Sequence, residues 1–352
     1  MRKGCRLMLV SIITTAMNEE AYLPGLFSDF LNQTYPHDQI EIILMNSMST
    51  DKTRDLMLDF QAQFRDEFYD IQVHNNLRKS LAAGLNEGIK VARGECVLKV
   101  DAHATIPEDF VEQNVAVISQ GEFICGGKRP TIIESDDPWS KTLHQVEEAM
   151  LGSSIASYRK ADSPRYVKSI FHGMYKKSVF DHVGELDERL GRTEDNEIHD
   201  RLLKAGYQIK YDPRIVSYQY MRPNFQKMVK QKYSNGYWIG MTSHVRPSCL
   251  SLYHFVPFVF TLAVIFSILM LPVTGWFLGL LALVYFGAMA AVTGLTIRKE
   301  GFLPHYLAMP FLLLAVHLAY GFGTIVGLFN GLRWRQEYFA EEEEVEETKK
   351  SV

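Results

Sequence analysis

An aspartate and a histidine two residues apart, Asp101 and His103, are the residues of this chain best placed to do chemistry. They follow a short apolar run from Val97 to Val100, which is typical of a buried strand. Because successive side chains of a strand point to opposite faces, residues 101 and 103 point the same way and can bind one ion together. A carboxylate with an imidazole suits Mn²⁺ or Mg²⁺, and the nitrogen ligand favours Mn²⁺. The alternative for His103 is a hydrogen-bonded residue at a strand end.

An acidic pair, Glu194 and Asp195, is the second candidate and lies 94 residues beyond Asp101 (195 − 101). The pair follows a turn at Gly191 and precedes a helical pattern from Glu197 to Ala205. A helix N-terminus favours the ionised form of a carboxylate, and such a group can take the proton of an attacking hydroxyl. We favour Asp195 as this base. The alternative is that Asp195 only caps the helix.

Short β-branched runs alternate with amphipathic helical patterns up to about residue 212. The predicted strands are Leu9 to Thr14, Ile40 to Met45, Tyr69 to His74, Val97 to Val100 and Phe123 to Gly126. This alternation predicts an α/β fold with a mostly parallel sheet, whose ligands bind beyond the carboxyl ends of the strands. Asp101 lies at that edge, and so do Asn18-Glu19 and Asn46-Ser47. Within the fourth strand, Cys96 is predicted to pack inside and Lys99 to lie on the surface.

Two long uncharged runs dominate the C-terminal part of the chain. No Asp, Glu, Lys or Arg occurs over the 51 residues from Pro247 to Ile297, and a second such run extends from Gly301 to Leu332. One helical crossing of a membrane needs about 20 apolar residues. The first run therefore predicts two crossings, separated at residues 272–275, and the second predicts one, preceded by an interfacial piece that ends near Pro310. A buried helical core is the alternative, and three such segments in series disfavour it.

Between the two regions, cations and aromatic residues are mixed with no acid after Asp212. The cations are Arg214, Arg222, Lys227, Lys230, Lys232 and Arg246. This mixture is typical of an amphipathic element at the level of lipid headgroups, and a solvated basic face is the alternative. Positive charge beside a crossing marks the inner side of a membrane, so we expect the N-terminal domain to face the cytoplasm. The charged stretch from Glu341 to Val352 is predicted to be disordered.

Five motifs, in this order, resemble those of family 2 glycosyltransferases with the GT-A fold, over roughly residues 7–240. They are Thr15-Ala16-Met17-Asn18-Glu19-Glu20, residues 46–53, residues 84–94, Asp101-Ala102-His103 and Gly191-Arg192-Thr193-Glu194-Asp195. The Asp-Ala-His variant and the apolar C-terminus are similar to the subgroup that extends lipid-linked sugars in bacterial exopolysaccharide assembly. The resemblance implies transfer from a nucleotide sugar to a polyprenyl-diphosphate-linked or other lipid acceptor at the bacterial cytoplasmic membrane.

The resemblance also implies roles for individual residues. Asp101 and His103 would hold Mn²⁺ or Mg²⁺ at the diphosphate, and Asp195 would be the base, with Glu194 beside it in the acceptor pocket. Nucleotide binding is assigned to Thr15, Ala16, Glu19, Asn46, Asp101 and Lys128. Asn46 and Ser47 stand where the family has Asp; Asn46 can still offer a donor and an acceptor to uracil, so a uridine nucleotide is predicted. Gln231, Lys232 and Trp238 lie in a degenerate form of the family's gating motif and are assigned to the diphosphate or the membrane interface.

The expected organisation is a catalytic domain (1–212), a basic interface segment (213–246), about three transmembrane helices (247–332) and a charged tail (333–352). Three functions fit it: an inverting glycosyltransferase, a processive polysaccharide synthase, and a catalytically inactive membrane scaffold or transport component. Three crossings after the catalytic domain look too few to enclose a translocation channel. The intact Asp101, His103 and Asp195 argue against an inactive protein. We therefore predict the first function, with no nucleic-acid partner.

Overall fold

The computed structural model describes residues 7–149, 162–222 and 224–350, which form two compact units. Unit 1 comprises Met1–Ile132 and Ala156–Tyr220, and unit 2 comprises Ile133–Ile155 and Met221–Val352. Unit 1 extends to Tyr220, and the described residues 133–149 cluster with the C-terminal helices. The functional assignment of the four predicted segments stays a prediction.

The strands and helices of the chain follow the predicted alternation. The strands are β1 Val10–Ala16, β2 Ile40–Asn46, β3 Asp70–Asn75, β4 Cys96–Lys99, β5 Ala104–Thr105, β6 Ile124–Lys128, β7 Thr131–Ile132, β8 Arg165–Val167, β9 Met174–Lys176, β10 Ile209–Val216 and β11 Tyr218–Tyr220. The helices are α1 Leu23–Leu31, α2 Thr53–Phe64, α3 Leu81–Val91, α4 Phe110–Ile118, α5 Pro138–Glu148, α6 Ser178–Val183, α7 Glu194–Lys204, α8 Phe225–Thr242, α9 Val256–Leu269, α10 Trp276–Glu300 and α11 Met309–Lys350.

The strands of unit 1 form a mostly parallel sheet in the order β3-β2-β1-β4-β9-β6-β10-β8. β1 pairs in parallel with β2 and β4, and β2 pairs in parallel with β3, whereas β9 is antiparallel to both of its neighbours. The register pairs Ala16 with Asn46 and Asn46 with Asn75, so these three strands end at one level. A smaller sheet, β5-β11-β7, lies in the same unit. The α/β prediction is confirmed.

Apolar side chains cover both faces of the sheet. Along β1, Ile12 belongs to one buried cluster and Ile13 to the other, as the alternation of a strand requires. Every residue of β2 is buried, which is typical of a central strand covered on both faces. Burial of each large aliphatic side chain contributes about 1.5–3 kcal/mol. The core therefore holds the strand ends, and the loops that follow them, in a fixed arrangement.

Unit 2 contains three helical segments that are long and apolar enough to cross a membrane: Leu252–Leu269, Trp276–Glu300 and Pro304–Glu341. The predicted break at residues 272–275 separates α9 from α10. The predicted disorder from Glu341 onward is wrong as far as Lys350, because α11 continues to that residue. The stretch after Gly331 contains neither Gly nor Pro and is rich in Glu and Lys, which favour a continuous helix.

Helix α8 packs against α11 through glycines spaced four residues apart. A Cβ atom added at Gly236 of α8 would overlap the carbonyl oxygen of Tyr320, and one added at Gly327 of α11 would overlap that of Tyr237. Small residues at this spacing let two helix backbones approach closely, as is common in membranes. One side of α8 is therefore buried in a helix interface. The position of this segment at the level of lipid headgroups stays a prediction.

Candidate active site

The loops after β1 and β2 hold each other through hydrogen bonds. Asn18 has a positive φ of 58°, a conformation that Asn tolerates, and its Oδ1 atom accepts from the backbone N–H of Thr50 at 2.8 Å. The backbone N–H of Glu19 donates to Thr53 Oγ1 at 2.8 Å, at the start of α2. Glu19, predicted from the sequence to bind nucleotide, is thus fixed at the carboxyl edge of the sheet.

His103 lies between Glu19 and Gln219. Its Nδ1 atom is 3.2 Å from Glu19 Oε1, and its Nε2 atom is 2.7 Å from Gln219 Nε2. Gln219 Oε1 accepts from the guanidinium of Arg129, so the amide N–H₂ of Gln219 faces His103 and donates. His103 Nε2 is therefore the acceptor, and Nδ1 carries the proton that is donated to Glu19. These contacts set both the orientation and the tautomer of the ring.

Asp101 is an ionised carboxylate between two basic side chains. Lys99 Nζ lies 3.9 Å from Oδ1, and Nε2 of the buried His172 lies 3.1 Å from Oδ2. Burial acts to raise the pKa of Asp101, but the Lys99 ammonium and then His172 hold it well below its usual value. Burial lowers the pKa of His172, so at neutral pH Lys99 supplies the charge. Ser217 Oγ lies 2.8 Å from the other nitrogen of His172 and orients its ring.

Lys99 also reaches Asp195. Its Nζ atom donates to both carboxylate oxygens of Asp195, at 3.2 and 3.3 Å, and its side chain is only 11% exposed. Burial acts to lower the pKa of Lys99, but Asp195 and Asp101 raise it by more. The prediction that Lys99 lies on the surface is therefore wrong. Lys99 comes two residues before Asp101 and so lies on the same face of the sheet. Helix α7 covers this face and brings Asp195 against Lys99.

Glu194 and Asp195 occupy different environments in the first turn of α7. The N-cap of α7 is Thr193, so Asp195 does not cap the helix. The Asp195 side chain is 26% exposed, whereas the Glu194 residue is 5% exposed. Burial, followed by the adjacent Asp195 charge, raises the pKa of Glu194 to about 7. Its Oε2 atom has no hydrogen-bond partner among the described residues.

A small cavity adjoins Lys99 and Asp195 on the side of the core. Its volume is about 30 Å³, enough for a water molecule. Apart from these two residues, its walls are mostly apolar and include Ile13, Leu85 and Ile198. The Lys99–Asp195 pair therefore has the apolar core on one side, and Asp195 keeps partial access to solvent.

The predicted nucleotide-binding residues differ in how available they are. Asn46 is 2% exposed; its amide nitrogen donates to Asn75 Oδ1, and its oxygen accepts from the backbone N–H of Ser49. Asn46 keeps a second N–H and a second oxygen lone pair beyond these bonds. Its assignment to nucleotide binding stays a prediction. Ala16 is buried and offers only its backbone. Lys128 Nζ pairs with Asp162 at 2.9 Å.

Thr15 and Asn76 each have a buried oxygen atom near this edge without a hydrogen-bond partner in the part of the chain that the structure describes. These atoms are Thr15 Oγ1 and Asn76 Oδ1. Both side chains lie beside Gly84, where a Cβ atom would be 2.7 Å from Thr15 Oγ1 and 3.1 Å from Asn76 Nδ2. Thr15 was predicted from the sequence and Asn76 was missed. The pair Asn75-Asn76 directly after the third predicted strand is a signal that could have identified it.

The predicted diphosphate residues in α8 belong to unit 2. Lys232 is 4% exposed, and its Nζ atom donates to Glu147 of α5 at 2.9 Å. An acid 85 residues away therefore neutralises Lys232 in a helix interface, which disfavours the alternative of a solvated basic face at this residue. The assignment of Lys232 to the diphosphate or the membrane interface stays a prediction. Trp238 stacks edge-to-face against Trp334 of α11, with ring centroids 6.1 Å apart. Gln231 is partly exposed, and its assigned role stays a prediction.

The fit of a divalent ion can be judged from its candidate ligands. Among the described residues, no group of three or more His, Cys, Asp or Glu side chains is placed to hold a metal. Asp101 offers an ionised carboxylate and His103 an imidazole. One or two protein ligands, completed by substrate phosphates and water, commonly bind such ions in nucleotide sites. The two residues therefore fit an ion that binds together with a nucleotide diphosphate, provided that Gln219 releases His103.

Comparison with known proteins identifies the first part of the chain. Residues 11–184 match the family model described as glycosyl transferase family 2. The chain carries a family 2 glycosyltransferase domain. The mannosyltransferase PcManGT from Pyrobaculum calidifontis, solved in complex with GDP-Man and Mn²⁺, superimposes with a TM-score of 0.54 and 17% identity, covering 91% of this chain and 88% of that one. The glycosyltransferase domain thus has the GT-A fold, as its motifs predicted.

Two curated relatives extend the similarity beyond the glycosyltransferase domain. The dolichyl N-acetyl-alpha-D-glucosaminyl phosphate 3-beta-D-2,3-diacetamido-2,3-dideoxy-beta-D-glucuronosyltransferase of Methanococcus voltae is 28% identical over 327 residues, covering 92% of this chain and 98% of that protein. The succinoglycan biosynthesis protein ExoA of Rhizobium meliloti is 21% identical over 231 residues, covering 64% of this chain and 67% of that protein.

The match to the family model ends before Glu194, and the tertiary structure brings the acidic pair to the site.

Proposed function

We propose that this protein is an inverting glycosyltransferase that moves a sugar from a nucleotide sugar to a lipid-linked acceptor. The observation that carries the proposal is the placement of Asp101 and Asp195 on either side of one ammonium group, with Lys99 Nζ 3.9 Å from the first carboxylate and 3.2 Å from the second. One site at the carboxyl edge of the sheet would therefore contain both carboxylates. Asp101 suits the diphosphate side, and Asp195 suits the acceptor side.

On the donor side, Asp101 and His103 would hold Mn²⁺ or Mg²⁺. When bound, the ion would act as a Lewis acid that neutralises the charge developing on the departing diphosphate. We propose that the donor carries a uridine nucleotide, because the motifs of this chain resemble those of family 2 glycosyltransferases.

On the acceptor side, Asp195 would accept the proton of the attacking hydroxyl. In an inverting transfer, that oxygen bonds to the anomeric carbon from the face opposite the diphosphate, and the bond between this carbon and the diphosphate breaks. The pKa of a sugar hydroxyl is far above neutrality, so a carboxylate within hydrogen-bond reach contributes about 10²–10⁴-fold to the rate. The partial exposure of Asp195 gives an acceptor access to it.

The lipid-linked acceptor is proposed from the helices of unit 2 and from the relative in Methanococcus voltae. That protein is named for a dolichyl-phosphate-linked acceptor, and the similarity covers 92% of this chain. The three apolar segments would cross the cytoplasmic membrane, with the catalytic domain facing the cytoplasm and a polyprenyl-type lipid carrying the acceptor sugar. Transfer to such a lipid requires a catalytic domain held close to the membrane.

A transfer assay tests this proposal. The detergent-purified full chain is incubated with a panel of labelled nucleotide sugars and a lipid extract, and the labelled lipids are separated by length. We expect one nucleotide sugar to label a lipid that is one sugar longer, with Asp195→Asn as the inactive control. A ladder of long products would instead indicate a polysaccharide synthase, and absence of transfer from every donor would contradict the proposal.

A further inference from the structure

The position of Lys99 suggests a role beyond neutralising its neighbours. We infer that Lys99 is a positioning residue that holds the carboxylate of Asp195 where the acceptor hydroxyl is deprotonated. This inference rests on the proposed function, because it concerns the orientation of the proposed base. Lys99 does not act on the substrate itself but through Asp195.

The geometry of the pair constrains Asp195 at two atoms. Lys99 Nζ contacts Oδ1 at 3.2 Å and Oδ2 at 3.3 Å, so rotation of the carboxylate is opposed at both oxygens. The lysine projects from β4, a strand that is paired on both edges. Asp195 lies in the first turn of α7, where it does not cap the helix. Lys99 therefore ties a side chain at a helix end to the central sheet.

The surroundings make a purely stabilising role a poor explanation. Withdrawing two charges from water costs several kcal/mol per ion, and well-packed apolar residues of similar volume are often as stable or more so. The apolar walls formed by Ile13, Leu85 and Ile198 would accommodate such residues. An ion pair kept in this environment gives a defined geometry, which is what a catalytic carboxylate needs.

Steady-state kinetics of full-length variants test the inference. Lys99→Met removes the ammonium but keeps most of the side-chain volume, and Lys99→Arg keeps the charge but moves the donor atoms. Lys90→Met is the matched control, because Lys90 pairs on an exposed surface with Glu185 at 3.3 Å. We expect kcat of Lys99→Met to fall about 10²-fold, the size expected for a misplaced catalytic group. Its KM for the nucleotide sugar should rise as well, because the ammonium beside Asp101 is lost, whereas Lys99→Arg should lower kcat with the KM unchanged. Lys90→Met should match the wild type.

A double variant distinguishes positioning from other roles. If Lys99 acts through Asp195, then Lys99→Met combined with Asp195→Asn should be no slower than Asp195→Asn alone. Multiplication of the two losses, or a Lys99→Met enzyme as fast as Lys90→Met, would overturn the inference. If Lys99→Met does not fold, a folded Lys99→Arg with lowered kcat and unchanged KM supports positioning, and full activity of Lys99→Arg contradicts it. Absence of transfer by the wild type overturns the proposed function and this inference with it.

Discussion

The side-chain amide of Gln219 donates a hydrogen bond of 2.7 Å to Nε2 of His103, the ring nitrogen whose lone pair a metal ion would use. The antiparallel pairing of β11 with β5 sets Gln219 opposite Ala104, the residue next to His103. Because a nitrogen lone pair accepts either a proton or a metal, Gln219 and an ion compete for His103. We therefore expect Gln219 to oppose the binding of an ion at His103.

The donor side is tested by removing its candidate ligands. Asp101→Ala and His103→Ala should weaken binding of UDP with Mn²⁺ and abolish the metal dependence of transfer, whereas Gln219→Ala should tighten Mn²⁺ binding. Calorimetric titration with Mn²⁺ and UDP measures these effects. His182→Ala is the control, since His182 is an exposed residue bonded to Tyr207. A His103→Ala enzyme with wild-type activity and an unchanged Mn²⁺ optimum would show that His103 does not contact the ion.

The proposed base is tested by Asp195→Asn. The amide keeps the shape of the side chain but cannot take the proton, so transfer should fall by about 10²–10⁴-fold while UDP and Mn²⁺ still bind. Asp200→Asn makes the same change on the same helix, where Asp200 pairs with Lys204, and should keep activity. Turnover of Asp195→Asn within a few-fold of the wild type would assign the base to Glu194 or refute glycosyl transfer.

The buried Glu194 makes stability depend on pH. Its pKa is raised from 4.5 to about 7, so between these values the folded state binds more protons than the unfolded state. Stability therefore decreases as pH rises through this window, by on the order of 3 kcal/mol if the full shift applies. Glu194→Gln, which stays neutral, should lose less stability than the wild type over the same range. Parallel thermal unfolding curves for the two proteins from pH 4.5 to pH 8 would contradict this assignment.

The buried pair in unit 2 predicts unequal effects for two lysines of α8. Lys232→Met removes the ammonium that pairs with Glu147 and should destabilise the protein by about 3–5 kcal/mol, the usual result of breaking a buried ion pair. Lys230, two residues earlier, is exposed, so Lys230→Met should change stability by less than about 0.5 kcal/mol. Thermal unfolding in detergent compares them, and equal melting temperatures would place Lys232 on an exposed face after all.

The close packing of the glycines of α8 and α11 predicts that two Gly→Ala changes differ in their effect on stability. Gly327→Ala forces a methyl group against the backbone of α8 and should cost about 1–3 kcal/mol. Gly279→Ala places the same group where no atom lies within 4 Å, on α10, and should be neutral or slightly stabilising. Melting temperatures of the two variants in one detergent measure the difference. A tolerated Gly327→Ala would mean that α8 and α11 are not packed this closely.

Local patterns in the sequence were sufficient for five strands and for the fold family, but they did not predict β5 or the strands β7 to β11. The five predicted strands each lie within two residues of the observed ones, because alternation and β-branched runs are properties of a few consecutive residues. The apolar segments were equally clear, since their length and composition are sufficient for a membrane crossing. The expectation that Asp101 and His103 bind one ion together came from the strand period. β4 ends at Lys99, before both residues, so their joint binding of an ion stays a prediction.

Contacts between distant residues were decided only by the tertiary structure. Lys99 and Asp195 are 96 residues apart, and their pairing depends on the placement of α7 over the face of β4. Lys232 looked like one cation among several in a basic segment until α5 brought Glu147 against it. Charge and polarity identify a side chain that needs an ion-pair or hydrogen-bond partner. The packing of the helices and strands determines which residue becomes that partner. The sequence therefore determined which residues could do chemistry, and the fold determined which of them meet.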